Sequence, residues 1–344
     1  MKALANPHRG TGLDHSDLDP MPWPSVDTAR VRALLARCPA ARETPLLSVP
    51  GLARRAGVAR LDVKDERGRM GLGSFKALGA AYVIARDAED GRAKGATYVA
   101  ASAGNHGLSV AAGARVFGAR AVIYLAETVP QAFADRLRAE GAEIVREGAT
   151  YEASMAAAGA AAKAHGWRLL SDSSWPGYAE RPHILMEGYL ALMDEVITGL
   201  DQPPTHIFLQ AGVGGLAAAA ATLARVAWGA APQIIVVEPE AAPALFASVE
   251  AGAPVVTEGP VSAMGRLDCK EPSLIALKGL ARDADIFMTI TESEAAAGLM
   301  VTDAEGLPST PSGAAGIAGC LAAGAALGLD TGARVLCILS EGPE

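Results

Sequence analysis

The chain alternates short apolar runs with longer, alanine-rich stretches of helical period. The stretches that begin at Asn105 and Tyr151 place apolar residues at helical spacing and end at a glycine. Apolar strands separated by helices are typical of parallel sheets that are covered on both faces. The runs that predict strands are RLDVKDE from residue 60, TYVAAS at 97–102, AVIYLA at 121–126, AEIVRE at 142–147, HIFLQA at 206–211, QIIVVEPE at 233–240 and RVLCILSEG at 334–342.

This alternation predicts an α/β fold with two open, twisted, mostly parallel sheets that are covered by helices and divided between two lobes. Residues 1–25 are rich in Pro, Asp and Gly, which predicts an irregular N-terminal arm. We expect the small domain at 89–172 and the large domain at 26–88 and 173–344. Because ligands of open parallel sheets bind at the carboxyl ends of the strands, the active site is expected in the crevice between the lobes.

Composition narrows the class of protein. The chain has 344 residues, 50% of them hydrophobic, and a formal net charge of −8. This charge argues against nucleic acid or an anionic membrane surface as a partner. No stretch predicts a membrane span, and the first residues lack the apolar core of a secretory signal. The four cysteines are scattered, which argues against a metal site or a disulfide framework. The sequence therefore predicts a soluble, cytoplasmic protein.

One lysine, Lys76, stands among small and apolar residues in GLGSFKALGA at 71–80. Burying an ammonium group is unfavourable unless the group is paired or neutralised. The side chain could lie along a helix with its head in water, or it could be a chemical group of an active site. This stretch alone leaves both interpretations open.

A second motif, QAGVGGL at 210–216, ends an apolar run in glycines and begins a helical stretch. Backbone N–H groups in such a turn form a cradle for phosphate, although an ordinary tight turn has the same pattern. The spacing lacks the third glycine of a dinucleotide fingerprint. A phosphate cradle together with a lysine in an apolar setting indicates a phosphorylated aldehyde held as a Schiff base, namely pyridoxal 5′-phosphate (PLP).

Several motifs follow one another in a fixed order within residues 40–342: TPLL, KDER, GSFKALGA, SAGNHG, GVGGL, VVEPE and SGAAG. With this ordered set the sequence resembles the fold-type II PLP enzymes, which include threonine dehydratase, serine racemase and the tryptophan synthase β subunit. The stretches SDSSWPGY, MEGYLALMDE and MGRLDCKEPS look most like diaminopropionate ammonia-lyase. The resemblance implies a homodimeric lyase that carries out α,β-elimination on a small L-amino acid such as 2,3-diaminopropionate, giving a 2-keto acid and ammonia.

The resemblance also implies roles for matching residues. Lys76 would hold the PLP aldehyde and remove the α-proton, and Asp172 would take part in proton transfer. Asn105 would bond the 3-oxygen of the cofactor, and Ser340 would face its ring nitrogen. The implied cofactor-binding residues are Lys76, Asn105, Gly212, Val213, Gly214, Gly215, Leu216 and Ser340. The implied substrate-binding residues are Ser102, Ala103, Gly104 and His106.

Two positions depart from the pattern of that lyase. The lyase has Asp directly before Gly-Asn-His-Gly, where this chain has Ala103, and its Gly-Leu-Asn before the lysine motif is Gly71-Leu72-Gly73 here. In the lyase that Asp is placed to serve the substrate face opposite the lysine, which allows a D-amino acid to react. We therefore expect this chain to act on the L-isomer and to leave the D-isomer essentially untouched.

Three other functions remain open at this point. A dehydratase acting on serine, threonine or 3-hydroxyaspartate would use the same cofactor, and SAGN also suits that group. An NAD-binding oxidoreductase would use GVGG but would leave Lys76 and Asn105 without a role. A catalytically silent binding protein would retain the scaffold alone.

Overall fold

The structure is a computed structural model that describes residues 1–343. It contains two sheets and the helices that cover them. The strands are β1 (Lys2–Ala5), β2 (Leu46–Ser48), β3 (Arg60–Asp65), β4 (Thr97–Ala101), β5 (Arg120–Leu125), β6 (Glu143–Arg146), β7 (Arg168–Leu169), β8 (His206–Gln210), β9 (Gln233–Pro239), β10 (Ile286–Ile290) and β11 (Arg334–Leu339).

The helices connect the strands and lie against both faces of the sheets. They are α1 (Thr28–Leu35), α2 (Pro50–Ala56), α3 (Ala80–Glu89), α4 (Asn105–Val116), α5 (Gln131–Ala139), α6 (Tyr151–His165), α7 (Glu180–Gly199), α8 (Gly215–Trp228), α9 (Ala244–Ala251), α10 (Leu274–Asp283), α11 (Glu292–Ala304) and α12 (Ala315–Ala323). Short 3₁₀ segments cover Glu66–Gly71, Phe75–Leu78 and Gly324–Leu327.

The larger sheet has seven strands in the order β1-β10-β9-β8-β11-β3-β2. Its inner strands are parallel, and the two edge strands, β1 and β2, run antiparallel to their neighbours. The smaller sheet has four parallel strands in the order β6-β5-β4-β7. These sheets confirm the predicted α/β class with two mostly parallel sheets.

The large sheet separates two parts of the hydrophobic core. On β9, Ile234 and Val236 belong to one buried cluster, whereas Ile235 and Val237 belong to another on the opposite face. Side chains alternate between the faces of a strand, so a continuous apolar run is what a strand buried on both faces requires. A third cluster packs α6 onto the small sheet.

The chain enters the small sheet after α3 and leaves it before α7. The boundaries at 88/89 and 172/173 stay predictions. No helix in the described part of the chain is long and apolar enough to cross a membrane.

The predicted irregular arm is wrong at its beginning. Lys2–Ala5 forms β1, which pairs with β10 in the register Lys2↔Thr289. The free edge of β10 has unpaired backbone N–H and C=O groups. A short segment that lies along this edge forms backbone hydrogen bonds with it whatever side chains the segment carries. Farther along the arm, the side-chain amide of Asn6 donates to the carbonyls of Ala281 and Ala284, at 2.8 and 2.7 Å, and anchors the arm to the end of α10.

Candidate active site

The lysine segment is joined by backbone hydrogen bonds to the end of β11. The N–H of Phe75 donates to the carbonyl of Ser340 at 3.0 Å, and the N–H of Gly342 donates to the carbonyl of Gly73 at 3.0 Å. Since β11 lies between β3 and β8, the segment carrying Lys76 sits at the carboxyl ends of neighbouring parallel strands. This is the edge of a parallel sheet at which ligands bind.

Lys76 forms an ion pair with Asp172. Its Nζ lies 2.5 Å from Oδ2 of Asp172, and the two side chains are 21% and 20% exposed. Burial alone would lower the pKa of Lys76, but the Asp172 carboxylate outweighs it and raises that pKa. Burial alone would raise the pKa of Asp172, but the Lys76 ammonium lowers it well below its usual range. The pair is therefore charged on both sides.

The side-chain amide of Asn105 donates to Oε2 of Glu341 at 2.6 Å. Glu341 is 3% exposed, and its other oxygen accepts from the Thr310 hydroxyl and from Arg266, the latter at 3.0 Å. No sequence motif indicated a role for Glu341. Only its position directly after Ser340 could have indicated that Glu341 belongs to the site. Its hydrogen-bond partners come from three distant parts of the chain and are brought together only by the fold.

The loop between β4 and α4 holds the predicted substrate-binding residues. The N–H of Gly104 donates to the Ser102 hydroxyl at 3.3 Å. His106 is buried, and its Nε2 donates to the carbonyl of Leu170 at 2.8 Å, because a carbonyl can only accept. Burial lowers the pKa of His106, so its ring is neutral. Ala103, between Ser102 and Gly104, has only a methyl group as its side chain.

The glycine-rich loop runs from the end of β8 into the first turn of α8. Gly214 has φ +97°, and a Cβ there would lie 3.0 Å from Cβ of Ala276 and Cδ1 of Leu245. A Cβ on Gly212 would lie 3.0 Å from Sγ of Cys269. The positive φ of Gly214 therefore favours glycine, and a Cβ at Gly212 would require Cys269 to shift. The first N–H groups of α8 lack acceptors within the helix and attract an anion.

Cys269 lies beside the glycine loop. Its thiol interacts electrostatically with Lys76 and Asp172, and burial raises the pKa of the thiol to about 12. The group is therefore a neutral thiol at ordinary pH. We assign it no nucleophilic role, because the thiolate is the reactive form.

These residues fit PLP. A lysine amine is available for the aldehyde, a close-approach glycine loop at a helix N-terminus suits the phosphate, and the buried Ser340 at the end of β11 can meet the ring nitrogen. Ser340 and the glycine loop follow the adjacent strands β11 and β8, and the lysine segment is hydrogen-bonded to the end of β11. The roles of the individual residues toward the cofactor stay predictions.

Comparison with known proteins gives consistent results. The family model described as pyridoxal-phosphate dependent enzyme matches residues 38–341. Diaminopropionate ammonia-lyase of Escherichia coli strain K12 is 33% identical over 283 residues, covering 76% of this chain and 71% of that protein. The Salmonella typhimurium diaminopropionate ammonia-lyase is 32% identical over 289 residues, with 76% and 72% coverage.

Solved structures agree with the sequence matches. The holo diaminopropionate ammonia lyase from Escherichia coli superposes with a TM-score of 0.88 at 29% identity, covering 99% of this chain and 93% of that one. A structure of the same enzyme in complex with D-serine has a TM-score of 0.88 at 28% identity, with the same coverage. These similarities confirm the predicted fold-type II architecture and PLP as the cofactor.

Proposed function

The chain belongs to the family of pyridoxal-phosphate dependent enzymes, and on that premise we propose that it eliminates ammonia from a small L-amino acid such as 2,3-diaminopropionate. The products are a 2-keto acid and ammonia. The observation that carries the proposal is the contact between Lys76 and Asp172 beside the glycine loop, at 2.5 Å. This contact supports the proposal because the two groups could pass a proton near the loop that we propose to bind the cofactor phosphate.

PLP, when bound, withdraws electrons from the α-carbon of an attached amino acid and makes its proton acidic. Lys76 accepts that α-proton in its neutral amine form and becomes an ammonium, which the Asp172 carboxylate stabilises. An amino group on the β-carbon must leave as neutral ammonia, so it needs a proton. Lys76, after it has taken up the α-proton, supplies it, and the ionised Asp172 holds the ammonium in place.

Ser340 supports elimination over longer-lived carbanion chemistry. A neutral hydroxyl does not force protonation of the ring nitrogen as a carboxylate would, so the ring remains a milder electron sink. Ser340 is buried, and its backbone is fixed by bonds to Gly313 and Phe75. The hydroxyl therefore stays at the strand end where the ring nitrogen would lie.

The substrate test uses holoenzyme with L-2,3-diaminopropionate, L-serine, L-threonine and 3-hydroxyaspartate. Keto acid and ammonia are measured together, because their ratio identifies the leaving group. Loss of a β-amino group gives two ammonia molecules per keto acid, whereas loss of a β-hydroxyl gives one. We expect turnover of diaminopropionate at a ratio of two. Absence of keto acid from every substrate would favour a silent binding protein.

A second candidate is elimination of water from a 3-hydroxyaspartate-type substrate. A cavity of about 500 Å³ opens between Gly104 and Phe133 of the small lobe and Arg266 and Thr310 of the large lobe. Arg266 is the only charged residue lining the cavity in the described part of the chain. The Arg266 guanidinium is paired with Glu341 at 3.0 Å, and a second substrate carboxylate would share it with that residue. Faster turnover of 3-hydroxyaspartate, at one ammonia per keto acid, would favour this candidate.

The proposal includes L-specificity. Lys76 serves one face of the substrate α-carbon, and Ala103 carries no group that could move a proton on the other. Loss of a positioned acid–base group costs about a hundred- to ten-thousand-fold in rate. We expect keto acid formation from the L-enantiomer to exceed that from the D-enantiomer by such a factor, and Ala103→Asp to raise the D-rate. Comparable rates on both enantiomers would mean that another group, such as His106, serves that face.

The assembly and location of the protein belong to the same proposal. We propose a homodimer that acts in the cytoplasm on a small amino acid, without nucleic acid or membrane as a partner. The net charge of −8 and the family membership support it. Light scattering of the purified protein measures the mass in solution, and a mass near 35.0 kDa would contradict the dimer.

A further inference from the structure

One tyrosine in the described part of the protein has a buried hydroxyl without a hydrogen-bond partner. Tyr189, in the middle of α7, is 1% exposed, and its Oη finds no hydrogen-bond acceptor among residues 1–343; the side chain next to it is the Lys76 ammonium, which can only donate. Three other tyrosines donate hydrogen bonds within the protein. Tyr82 donates to Glu187 at 2.7 Å, Tyr98 donates to Asp87 at 2.7 Å, and Tyr178 donates to the carbonyl of Leu169 at 2.9 Å.

An unpaired buried hydroxyl is unfavourable, and such a group in a native structure calls for an explanation. Burial raises the pKa of Tyr189, although the charge of Lys76 opposes the shift. The hydroxyl therefore keeps its proton and remains a donor. What it needs is an acceptor that the protein chain itself does not provide.

The position of Tyr189 indicates what that acceptor is. Its ring centroid lies 5.9 Å from Nζ of Lys76. A Cβ on Gly79, at the end of the lysine segment, would lie 2.8 Å from Oη of Tyr189. A Cβ on Gly215, at the start of α8, would lie 3.6 Å from Cε2 of the same ring. Tyr189 thus lies between the lysine and the glycine loop, where the cofactor must extend from one to the other.

We propose that the Tyr189 hydroxyl donates a hydrogen bond to the phosphate of bound PLP, adding a side-chain donor to the backbone cradle at 212–216. The anionic phosphate attracts an O–H dipole, whereas the cationic lysine end does not. The missing Cβ of Gly79 leaves room for the ring. The inference rests on the proposed phosphate cradle and not on the proposed reaction.

The test compares cofactor binding to apoenzyme of the unmodified protein, Tyr189→Phe and Tyr82→Phe. Each protein is titrated with PLP and with pyridoxal, which lacks the phosphate, and binding is followed by visible absorbance. A hydrogen bond to a charged group contributes enough that its loss weakens binding by about tenfold or more. We expect Tyr189→Phe to raise the Kd for PLP by that factor and to change the Kd for pyridoxal less than about twofold.

Tyr82→Phe is the matched control, because it removes a buried hydroxyl whose partner, Glu187, lies within the protein. It should leave the ratio of the two Kd values unchanged. An unchanged PLP affinity in Tyr189→Phe, or an equal loss for PLP and pyridoxal, would overturn the assignment to the phosphate.

Thermal unfolding gives an independent readout. Because Phe removes no internal hydrogen bond at position 189, apo Tyr189→Phe should unfold at the same temperature as the unmodified apoenzyme or higher. Its stabilisation by added PLP should be smaller. A lower Tm of the apo variant would show that the hydroxyl has a partner within the protein, and the proposal would be wrong.

Discussion

Two lysines near the same edge of the large sheet are each held by a carboxylate at 2.5 Å, yet their surroundings differ. Lys64, on β3, is 1% exposed and donates to Glu195 and to the carbonyl of Thr44. Lys76, on the segment after β3, donates a hydrogen bond to Asp172 and is 21% exposed.

The environment of Lys64 is a closed network. Arg69 lies beside it and donates to both oxygens of Glu66 and of Glu195. Opposite charges thus compensate one another in the interior, as buried ions require. Around Lys76, apart from Asp172, lie the rings of Phe75 and Tyr189, whose centroids are 5.1 and 5.9 Å from its Nζ.

This contrast separates a structural lysine from a chemical one. A cation whose donors are all directed at fixed acceptors cannot change partners without destabilising the fold. A cation with one partner, an aromatic surrounding and access to solvent can exchange that partner for a ligand. Two substitutions of the same kind test this difference directly.

The largest effect is expected for Lys76→Met. Turnover should fall below detection and the visible absorption of lysine-bound PLP should disappear, while far-UV circular dichroism remains that of the folded protein. Borohydride reduction of the holoenzyme, followed by peptide mapping, should label Lys76. A label on any other lysine would contradict the assignment.

Lys64→Met should act on stability and not on chemistry. Removing one partner from a buried ion network destabilises a protein by about 3 kcal/mol. We expect urea unfolding at a correspondingly lower midpoint, with turnover per folded molecule changed less than about twofold. Unchanged stability, or a loss of turnover in fully folded Lys64→Met, would remove the distinction between the two lysines.

The sequence could predict one of these environments better than the other. The motif around Lys76 signals its chemistry through small residues and order along the chain. Nothing in RLDVKDE indicates that Lys64 is paired with Glu195, because that partner lies on α7 and is brought near only by the fold. Roles for Glu341 and Tyr189 were not predicted either, because the groups around them are also distant in the sequence.

The strands also divide into those that the sequence predicted and those that it did not. The long apolar runs, such as those of β8 and β9, are strands as predicted, because burial on both faces leaves a continuous apolar signal. The short strands β1, β2 and β7 were not predicted. Strands of this length are determined by a neighbouring edge and carry little pattern of their own. β10 (IFMTI) was also not predicted, although its β-branched and aromatic composition is typical of a strand.

The smallest expected effect concerns the pH at which Lys76 becomes a neutral amine. Asp172 raises the pKa of Lys76 above the ordinary lysine value of about 10.4, against the effect of burial. In Asp172→Asn the carboxylate charge is gone and burial remains, so that pKa should fall below 10.4. Because only the neutral amine attacks an aldehyde, the rate at which PLP attaches to the apoenzyme should reach its plateau at a lower pH.

If the pKa of Lys76 falls by one unit, the fraction of Lys76 in the neutral amine form rises about tenfold at any pH well below that pKa. PLP attachment at pH 8, followed by visible absorbance after rapid mixing, should therefore be about tenfold faster in Asp172→Asn than in the unmodified apoenzyme. Asp194→Asn, which removes a carboxylate paired with Arg32 at the surface, should leave the rate unchanged. An attachment rate in Asp172→Asn equal to or below that of the unmodified protein at pH 8 would mean that Asp172 does not control the charge of Lys76, and the contrast with Lys64 would then rest on packing alone.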